Sequence, residues 1–106
     1  LGWIGKNALL ITPQYGPRVR LATVITNVTL KPGKPLKNEC RDCSNCIDSC
    51  PVRALQASDF TDYPVKRSNI FDVKKCATRL DKFNRLTDIG VSICGMCIKA
   101  CPIGRT

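Results

Sequence analysis

The sequence contains no histidine and no recognisable set of catalytic residues. Histidine is the usual general base near neutral pH, so its absence excludes a Ser–His–Asp triad. A phosphate-binding loop and paired carboxylates at a familiar spacing are also missing. We therefore expect no acid–base or nucleophilic catalysis from this chain by itself.

Long apolar runs are absent as well. Without a stretch of about 20 apolar residues the sequence predicts no transmembrane helix. It shows no signal peptide either, so we expect a cytoplasmic protein. The chain begins Leu1-Gly2-Trp3, without an initiator methionine. We expect it to be a processed polypeptide or part of a longer one.

Cysteine, by contrast, is abundant, with 8 residues in a chain of 106. Such a count indicates disulfides in a secreted protein and metal binding in a cytosolic one. Residues 40–51 read C-x2-C-x2-C-x3-C-P, the run that bacterial-type ferredoxins use to hold a cubane iron–sulfur cluster. The spacing therefore favours iron–sulfur binding over a disulfide scaffold or a zinc ribbon.

A second run, C-x2-C-x3-C-P, lies at residues 94–102. In two-cluster ferredoxins the last cysteine of a run ligates the other cluster. This rule leaves the second cluster one thiolate short, and Cys76 is the only cysteine left to complete it. The alternative is that Cys76 is a buried free thiol. The predicted metal ligands are Cys40, Cys43, Cys46 and Cys101 for cluster 1, and Cys50, Cys76, Cys94 and Cys97 for cluster 2.

The segments around the cysteines predict an α+β fold. Short helices are expected near Ser44–Cys50 and over Asp72–Leu80, the second with Asp72 as its N-cap. Gln56–Asn69 is predicted to be a loop, and Asp81–Asp88 is ambiguous. The two cysteine runs share a loop–helix–proline pattern, which indicates a pseudo-symmetric, ferredoxin-like two-cluster domain over residues 39–106.

Residues 1–38 contain no cysteine and are predicted to form a short β extension followed by a connector. Strands are expected at Ala8–Thr12 and Val19–Thr26, joined by the turn-forming residues Pro13–Pro17. Because their apolar runs are nearly continuous, these strands need cover on both faces. A pair of strands is marginally stable alone, so we expect self-association or packing against another polypeptide.

Basic residues outnumber acidic ones by 17 to 8, which gives a formal net charge of +9. Two oxidised cubane clusters with their thiolates would each carry about −2 and bring the loaded protein to about +5. The remaining charge favours a redox partner that is acidic at its docking site. Nucleic-acid binding is the alternative, since basic patches are also typical of that function.

The position of Cys76, far from either run, resembles the double-cluster domain of the epoxyqueuosine reductase and corrinoid reductive dehalogenase families. In those families a middle cysteine completes the second cluster. Two further segments are similar to the end of the corrinoid-binding domain of these families: Gly2-Trp3-Ile4-Gly5-Lys6-Asn7 and Tyr15-Gly16-Pro17-Arg18-Val19-Arg20-Leu21-Ala22-Thr23-Val24-Ile25-Thr26.

The resemblance implies that two cubane clusters deliver electrons to the cobalt of a cobalamin. It places most of the corrinoid domain, with the catalytic acid, upstream of Leu1. Cobalamin is therefore expected only together with a partner or a further domain, and no catalytic residue is predicted in this chain. Our leading hypothesis is an electron-transfer module that relays single electrons within a larger redox assembly. The alternative is the cluster-binding part of a corrinoid-dependent reductase that acts on a modified tRNA or an organohalide.

Overall fold

The computed structural model describes residues 1–57, 60 and 66–105. These residues form a two-stranded antiparallel sheet and three α-helices, so the predicted α+β class is confirmed. None of the helices in this part of the chain has the length and apolarity needed to cross a lipid bilayer. The elements, in chain order, are β1 (Trp3–Ile4), β2 (Leu10–Ile11), α1 (Asn45–Asp48), a 3-10 helix (Arg67–Asn69), α2 (Val73–Asn84) and α3 (Met96–Ala100).

The sheet is a short hairpin, in which Trp3 of β1 pairs with Ile11 of β2. These two side chains are 3% and 1% exposed, and they pack with Cys101 in the buried core. Burying a large apolar side chain stabilises a fold by about 1.5–3 kcal/mol. The hairpin is therefore held mainly by its contact with the C-terminal part of the chain rather than by its few ladder hydrogen bonds.

The predicted strand pair is wrong in its second member. The expected strand Ala8–Thr12 contains β2, but its partner is β1 rather than Val19–Thr26. Residues 20–37 are exposed and form no strand. A β-branched run becomes a strand where a neighbouring edge supplies hydrogen bonds and cover. The described part of this chain supplies neither to Val19–Thr26.

We name residues 19–30 the apolar arm. Five of its large apolar side chains are at least 63% exposed: Leu21, Val24, Ile25, Val28 and Leu30. The radius of gyration of the chain is 15.2 Å, whereas a compact domain of 100 residues has about 13 Å. The apolar arm is exposed over residues 20–30, so the expectation of cover by another polypeptide concerns this segment.

The turn that precedes the apolar arm is fastened to the region that follows α3. Arg18 donates hydrogen bonds to the carbonyl oxygens of Cys101 at 2.7 Å, Ile103 at 2.9 Å and Ile98 at 3.1 Å. Ile98 lies in the last turn of α3, where its carbonyl also accepts from the Cys101 N–H at 3.3 Å, and the other two carbonyls follow the helix. The guanidinium therefore ties the end of α3 to the chain that follows it. Gly16 has a φ of +59° and lies so close to the Ile103 backbone that a Cβ atom would clash with it. We refer to the three bonds as the Arg18 clamp.

The two short helices α1 and α3 belong to the two cysteine runs, and they pack against each other. α1 lies within the predicted helix Ser44–Cys50, which is confirmed. α3 begins after Gly95, whose φ of +68° suits glycine, and it ends before Pro102. The loop–helix–proline pattern therefore has the same structural outcome in both runs.

α2 begins after Asp72, whose side chain accepts hydrogen bonds from the N–H groups of Lys74 and Lys75 at 3.0 and 3.1 Å. The predicted N-cap is therefore confirmed. The helix runs past its predicted end at Leu80 and takes in the first half of the ambiguous segment. The predicted loop 56–69 lies partly outside the described residues, and its last three residues form the 3-10 helix.

Candidate metal centres

All eight cysteines lie within the described residues, and none of them is in a disulfide. Cys46 and Cys101 are buried, and the other six are half-buried. The eight divide between two cavities, with four at each. The two sets are the ones that the sequence predicts for the two clusters.

Cavity 1 has a volume of about 70 Å³. Three of its cysteines come from the first run, in the loop before α1 and in α1 itself, whereas the fourth follows α3. Because α1 packs against α3, the end of the second run reaches the thiols of the first. The cysteines that line cavity 1 are Cys40, Cys43, Cys46 and Cys101.

Cavity 2 has a volume of about 140 Å³ and a predominantly apolar wall. Its cysteines come from four places: the end of the first run, α2, the loop before α3, and α3. Cys76, near the start of α2, therefore lies beside the second run despite its distance in sequence. The cysteines that line cavity 2 are Cys50, Cys76, Cys94 and Cys97.

Backbone geometry in the first run directs its thiols. The Cys43 N–H donates to the Cys40 carbonyl at 2.9 Å, and Arg41 between them has a φ of +41°. This tight turn brings two cysteines of one loop to one cavity. Further on, the Ala54 N–H donates to Cys50 Sγ at 3.3 Å. Hydrogen bonds to ligand sulfurs are one of the features that tune an iron–sulfur site.

Burial raises the pKa of several thiols. Burial first, and then four neighbouring thiolates, raise the pKa of Cys46 to about 11; the four are Cys40, Cys97, Cys101 and Cys43. Burial is also the largest cause that raises the pKa of Cys76 and of Cys97. Metal binds the thiolate, so loading these sites releases protons.

Cys46 is expected to react more slowly with iodoacetamide than Cys43 in the folded, metal-free protein. The thiolate is the reacting form, and a pKa of about 11 leaves roughly one thiol in a thousand ionised at pH 8. Peptide mass spectrometry over a time course would measure the difference, which we expect to exceed tenfold. In denatured protein the two rates should become equal. Equal rates in the folded protein would contradict the prediction.

The number of thiols at each cavity can be compared with the needs of a single ion and of a cluster. Within the described residues, no three cysteine or carboxylate side chains come close enough to hold one metal ion. A structural zinc site draws four ligands to about 2.0–2.3 Å from one centre. In a cubane cluster each thiolate binds a different iron. Four cysteines at each cavity match the number of thiolates that one cubane takes.

Two buried donors also fit an anionic cofactor. Arg79 lines cavity 2, and its buried Nε has no hydrogen-bond partner among the described residues. Trp3 Nε1 is also buried without a partner there, and Trp3 packs beside Cys101 and Cys40. Buried donors are normally satisfied. A cluster in cavity 2 would supply sulfur acceptors in the cavity that Arg79 lines, and a cluster in cavity 1 would lie beside Cys101, which packs in the same core as Trp3.

Three residues of the hairpin line cavity 1 and were missed from the sequence: Lys6, Asn7 and Ile11. Lys6 also donates a 2.5 Å hydrogen bond to the carbonyl of Arg41 in the first cysteine run. Cysteine spacing gives no indication of these contacts, because they arise when separate segments pack together. The one sequence signal in this region was the Gly-Trp-Ile-Gly-Lys-Asn stretch. It indicated a resemblance to a family, and it did not predict that these residues contact the cysteine runs.

Comparison with known proteins identifies relatives of this chain. Residues 39–104 match the family described as "4Fe-4S double cluster binding domain". An epoxyqueuosine reductase of Listeria monocytogenes is 31% identical over 105 residues, which cover 99% of this chain and 27% of that protein. An epoxyqueuosine reductase of Bacillus cereus is 49% identical over 55 residues, or 52% of this chain and 14% of that protein. A tetrachloroethene reductive dehalogenase of Desulfitobacterium hafniense is 48% identical over 59 residues, or 52% of this chain and 11% of that protein.

The fold has a solved counterpart in the structure of epoxyqueuosine reductase from Streptococcus thermophilus. The two superpose with a TM-score of 0.62 and 24% identity, over 100% of this chain and 28% of the other. The chain thus spans about a quarter or less of the length of each of these relatives. Because the family match covers more than half of the chain, this protein belongs to the 4Fe-4S double cluster binding domain family, in agreement with the resemblance inferred from its cysteines.

Proposed function

We propose that the chain binds two [4Fe-4S] clusters and relays single electrons through them within a larger reductase. The observation that carries the proposal is the separation of the eight cysteines into two cavities of four, each of which draws on both runs. This exchange of cysteines is typical of ferredoxin-like two-cluster domains. Cluster 1 would be held by Cys40, Cys43, Cys46 and Cys101, and cluster 2 by Cys50, Cys76, Cys94 and Cys97.

A bound [4Fe-4S] cluster supplies a one-electron carrier, and the surrounding residues set how readily it accepts an electron. Apolar walls, such as Ile11 and Ile103 at cavity 1, exclude water from the site. Lys6 lines cavity 1, and Arg67 and Arg79 line cavity 2. Their positive charges oppose the negative charge of the thiolates, and this favours the reduced state.

A second candidate function is the cluster-binding part of a corrinoid-dependent reductase. Relatives are named epoxyqueuosine reductase and tetrachloroethene reductive dehalogenase, and the apolar arm offers a surface to a further domain. In this case the electron acceptor is the cobalt of a cobalamin held by that domain or by a partner. A tRNA or an organohalide is then the substrate of the whole protein. The residues of this chain hold the clusters and have no catalytic role.

Metal analysis tests the two-cluster proposal directly. Protein purified without oxygen is expected to contain about eight irons and eight sulfides per chain. Elemental analysis together with a sulfide assay would measure both. About four irons per chain, or stoichiometric zinc, would contradict the proposal.

Reduction of the loaded protein by a small acidic electron carrier is expected to slow as salt is added. Lys74, Lys75 and Lys82 are exposed on α2, the helix that carries Cys76. Complementary charge raises association rates by about 10–1,000-fold, and salt screens it. Lys74→Glu combined with Lys75→Glu should therefore slow association at least tenfold at low salt and little at high salt, measured by stopped-flow absorbance.

The control changes the net charge by the same amount elsewhere. Lys31→Glu combined with Lys34→Glu alters the exposed connector after the apolar arm, and we expect it to have a smaller effect. Rates that do not depend on salt would argue against steering by α2. Binding of tRNA with a steep salt dependence would instead favour the corrinoid-dependent candidate.

A further inference from the structure

Asn7 lies between the two cavities. It is the only described residue that lines both of them, and it is only 4% exposed. The residue belongs to the loop that joins β1 to β2. A buried asparagine amide needs hydrogen-bond partners. For the Asn7 side chain, hydrogen-bond partners outside its own loop would have to lie in the two cavities.

The hairpin loop holds the Asn7 amide in one orientation. Its Oδ1 accepts a 3.2 Å hydrogen bond from the Leu9 N–H. The loop is closed by 2.9 Å bonds from the Gly5 N–H to the Leu9 carbonyl and from the Ala8 N–H to the Gly5 carbonyl. With Oδ1 engaged by the Leu9 N–H, the two N–H donors of Nδ2 are the polar groups that Asn7 can offer to the cavities it lines.

Each basic residue at the cavity walls reaches one cavity alone. Lys6 lines cavity 1, whereas Arg67 and Arg79 line cavity 2. The two cavities are nevertheless close, since α1 packs against α3 and Asn7 lines both. A polar group in the partition between the cavities therefore acts on both at short range.

We propose that Asn7 donates hydrogen bonds from Nδ2 to sulfur atoms of both clusters and so raises both reduction potentials together. This inference rests on the proposed function, because it requires a cluster in each cavity. An added electron makes a cluster more negative, and an N–H donor at its sulfur stabilises that charge. A donor shared by both clusters shifts their two reduction potentials in the same direction. The difference between the potentials then changes little, which favours the passage of an electron between the clusters.

Redox titrations of the cluster-loaded chain, followed by EPR, test this role. Asn7→Leu keeps the size of the side chain but removes both donors, so both midpoint potentials should become more negative. Asn7→Asp keeps the acceptor for the Leu9 N–H and, at alkaline pH, places a negative charge in the partition. Both potentials should then fall further. Asn27→Leu and Asn27→Asp, on the exposed apolar arm, are the matched controls and should leave both potentials unchanged.

Iron and sulfide analysis of the unaltered chain comes first, since fewer than two clusters there would contradict the proposed function rather than the role of Asn7. When two clusters are present, Asn7→Leu should shift both reduction potentials. If it shifts only one of them, or neither, the proposal that Asn7 donates to both clusters is wrong. If Asn7→Leu loses its clusters, Asn7→Asp decides the matter. A fall in both potentials then supports a position between the clusters, and any other result overturns it.

Discussion

Cys101→Ala is expected to remove the cluster bound by the first cysteine run and to leave the other cluster in place. The reason is that Cys101 lines cavity 1, whereas the other two cysteines of its own run line cavity 2. Iron and sulfide should each fall from about eight to about four per chain. Cys50→Ala should cause an equal loss from cluster 2, although Cys50 belongs to the first run. EPR of the reduced variants would show which cluster remains.

Pairs of substitutions make the test sharper. Cys101→Ala combined with Cys43→Ala should lose no more iron than either change alone, because both affect cluster 1. Cys101→Ala combined with Cys50→Ala should lose nearly all iron. Ser49→Ala, next to a ligand but with its hydroxyl bonded to the Cys46 carbonyl, should retain both clusters. If each run held its own cluster, Cys101→Ala and Cys97→Ala would instead be the pair without further loss.

Cys76→Ala separates the two interpretations of this residue. If Cys76 is a ligand in cavity 2, Cys76→Ala should lower the iron content by about four per chain. As a free thiol, half-buried rather than buried in the structure, it would leave the iron content unchanged. The alanine side chain suits this helical position, so a loss of iron would reflect the missing sulfur rather than a broken α2.

The isolated 106-residue chain is expected to self-associate through the apolar arm, and negative charges on the arm should disperse it. Each Val, Leu or Ile side chain removed from water contributes about 1.5–3 kcal/mol, and 1.4 kcal/mol corresponds to about tenfold in Kd. Leu21→Glu combined with Val24→Glu should therefore raise the Kd of the self-associated form at least about a hundredfold. Analytical ultracentrifugation of the cluster-loaded protein would measure this change.

The control adds the same charge to the apolar arm without removing an apolar side chain. Thr23→Glu combined with Thr26→Glu adds the same charge at exposed polar residues of the arm, so no apolar contact is lost. We expect a smaller rise in the Kd from this pair. An unaltered chain that stays monomeric at all concentrations would contradict the role of the arm.

Local features of this fold could be predicted from the sequence because they depend on neighbouring residues. The Asp72 cap involves N–H groups two and three positions away, and α1 and α3 follow from the cysteine-run pattern. The grouping of the cysteines follows from their number and spacing, and the two cavities support it. Whether the two groups bind clusters stays a prediction until metal is measured.

Long-range packing could not be predicted in the same way. The run Val19–Thr26 has strand-forming residues, but residue preference says nothing about whether a neighbouring edge exists. Asn7 and Lys6 reach the cavities because the hairpin packs on the end of the second cysteine run. Such a contact joins residues that lie far apart in the sequence, and no local pattern marks it.

The Arg18 clamp can form only after Cys101 has been synthesised, and this delay determines how long the cysteine thiols are exposed to oxygen before the domain is complete. Arg18 and its partner Cys101 are 83 residues apart in the chain, and a ribosome adds about 5–20 residues per second. The first segment therefore waits for at least about 4 s, and often longer, before its carbonyl partners exist. Once Cys46 has been added, Cys101 is still 55 residues away, which takes at least about 3 s. During that time the thiols of the first run lack their fourth member and are open to oxidation to sulfenic acid. Iron and sulfide delivered to the nascent chain would meet an unfinished cavity 1, so loading of cluster 1 should follow translation of this region.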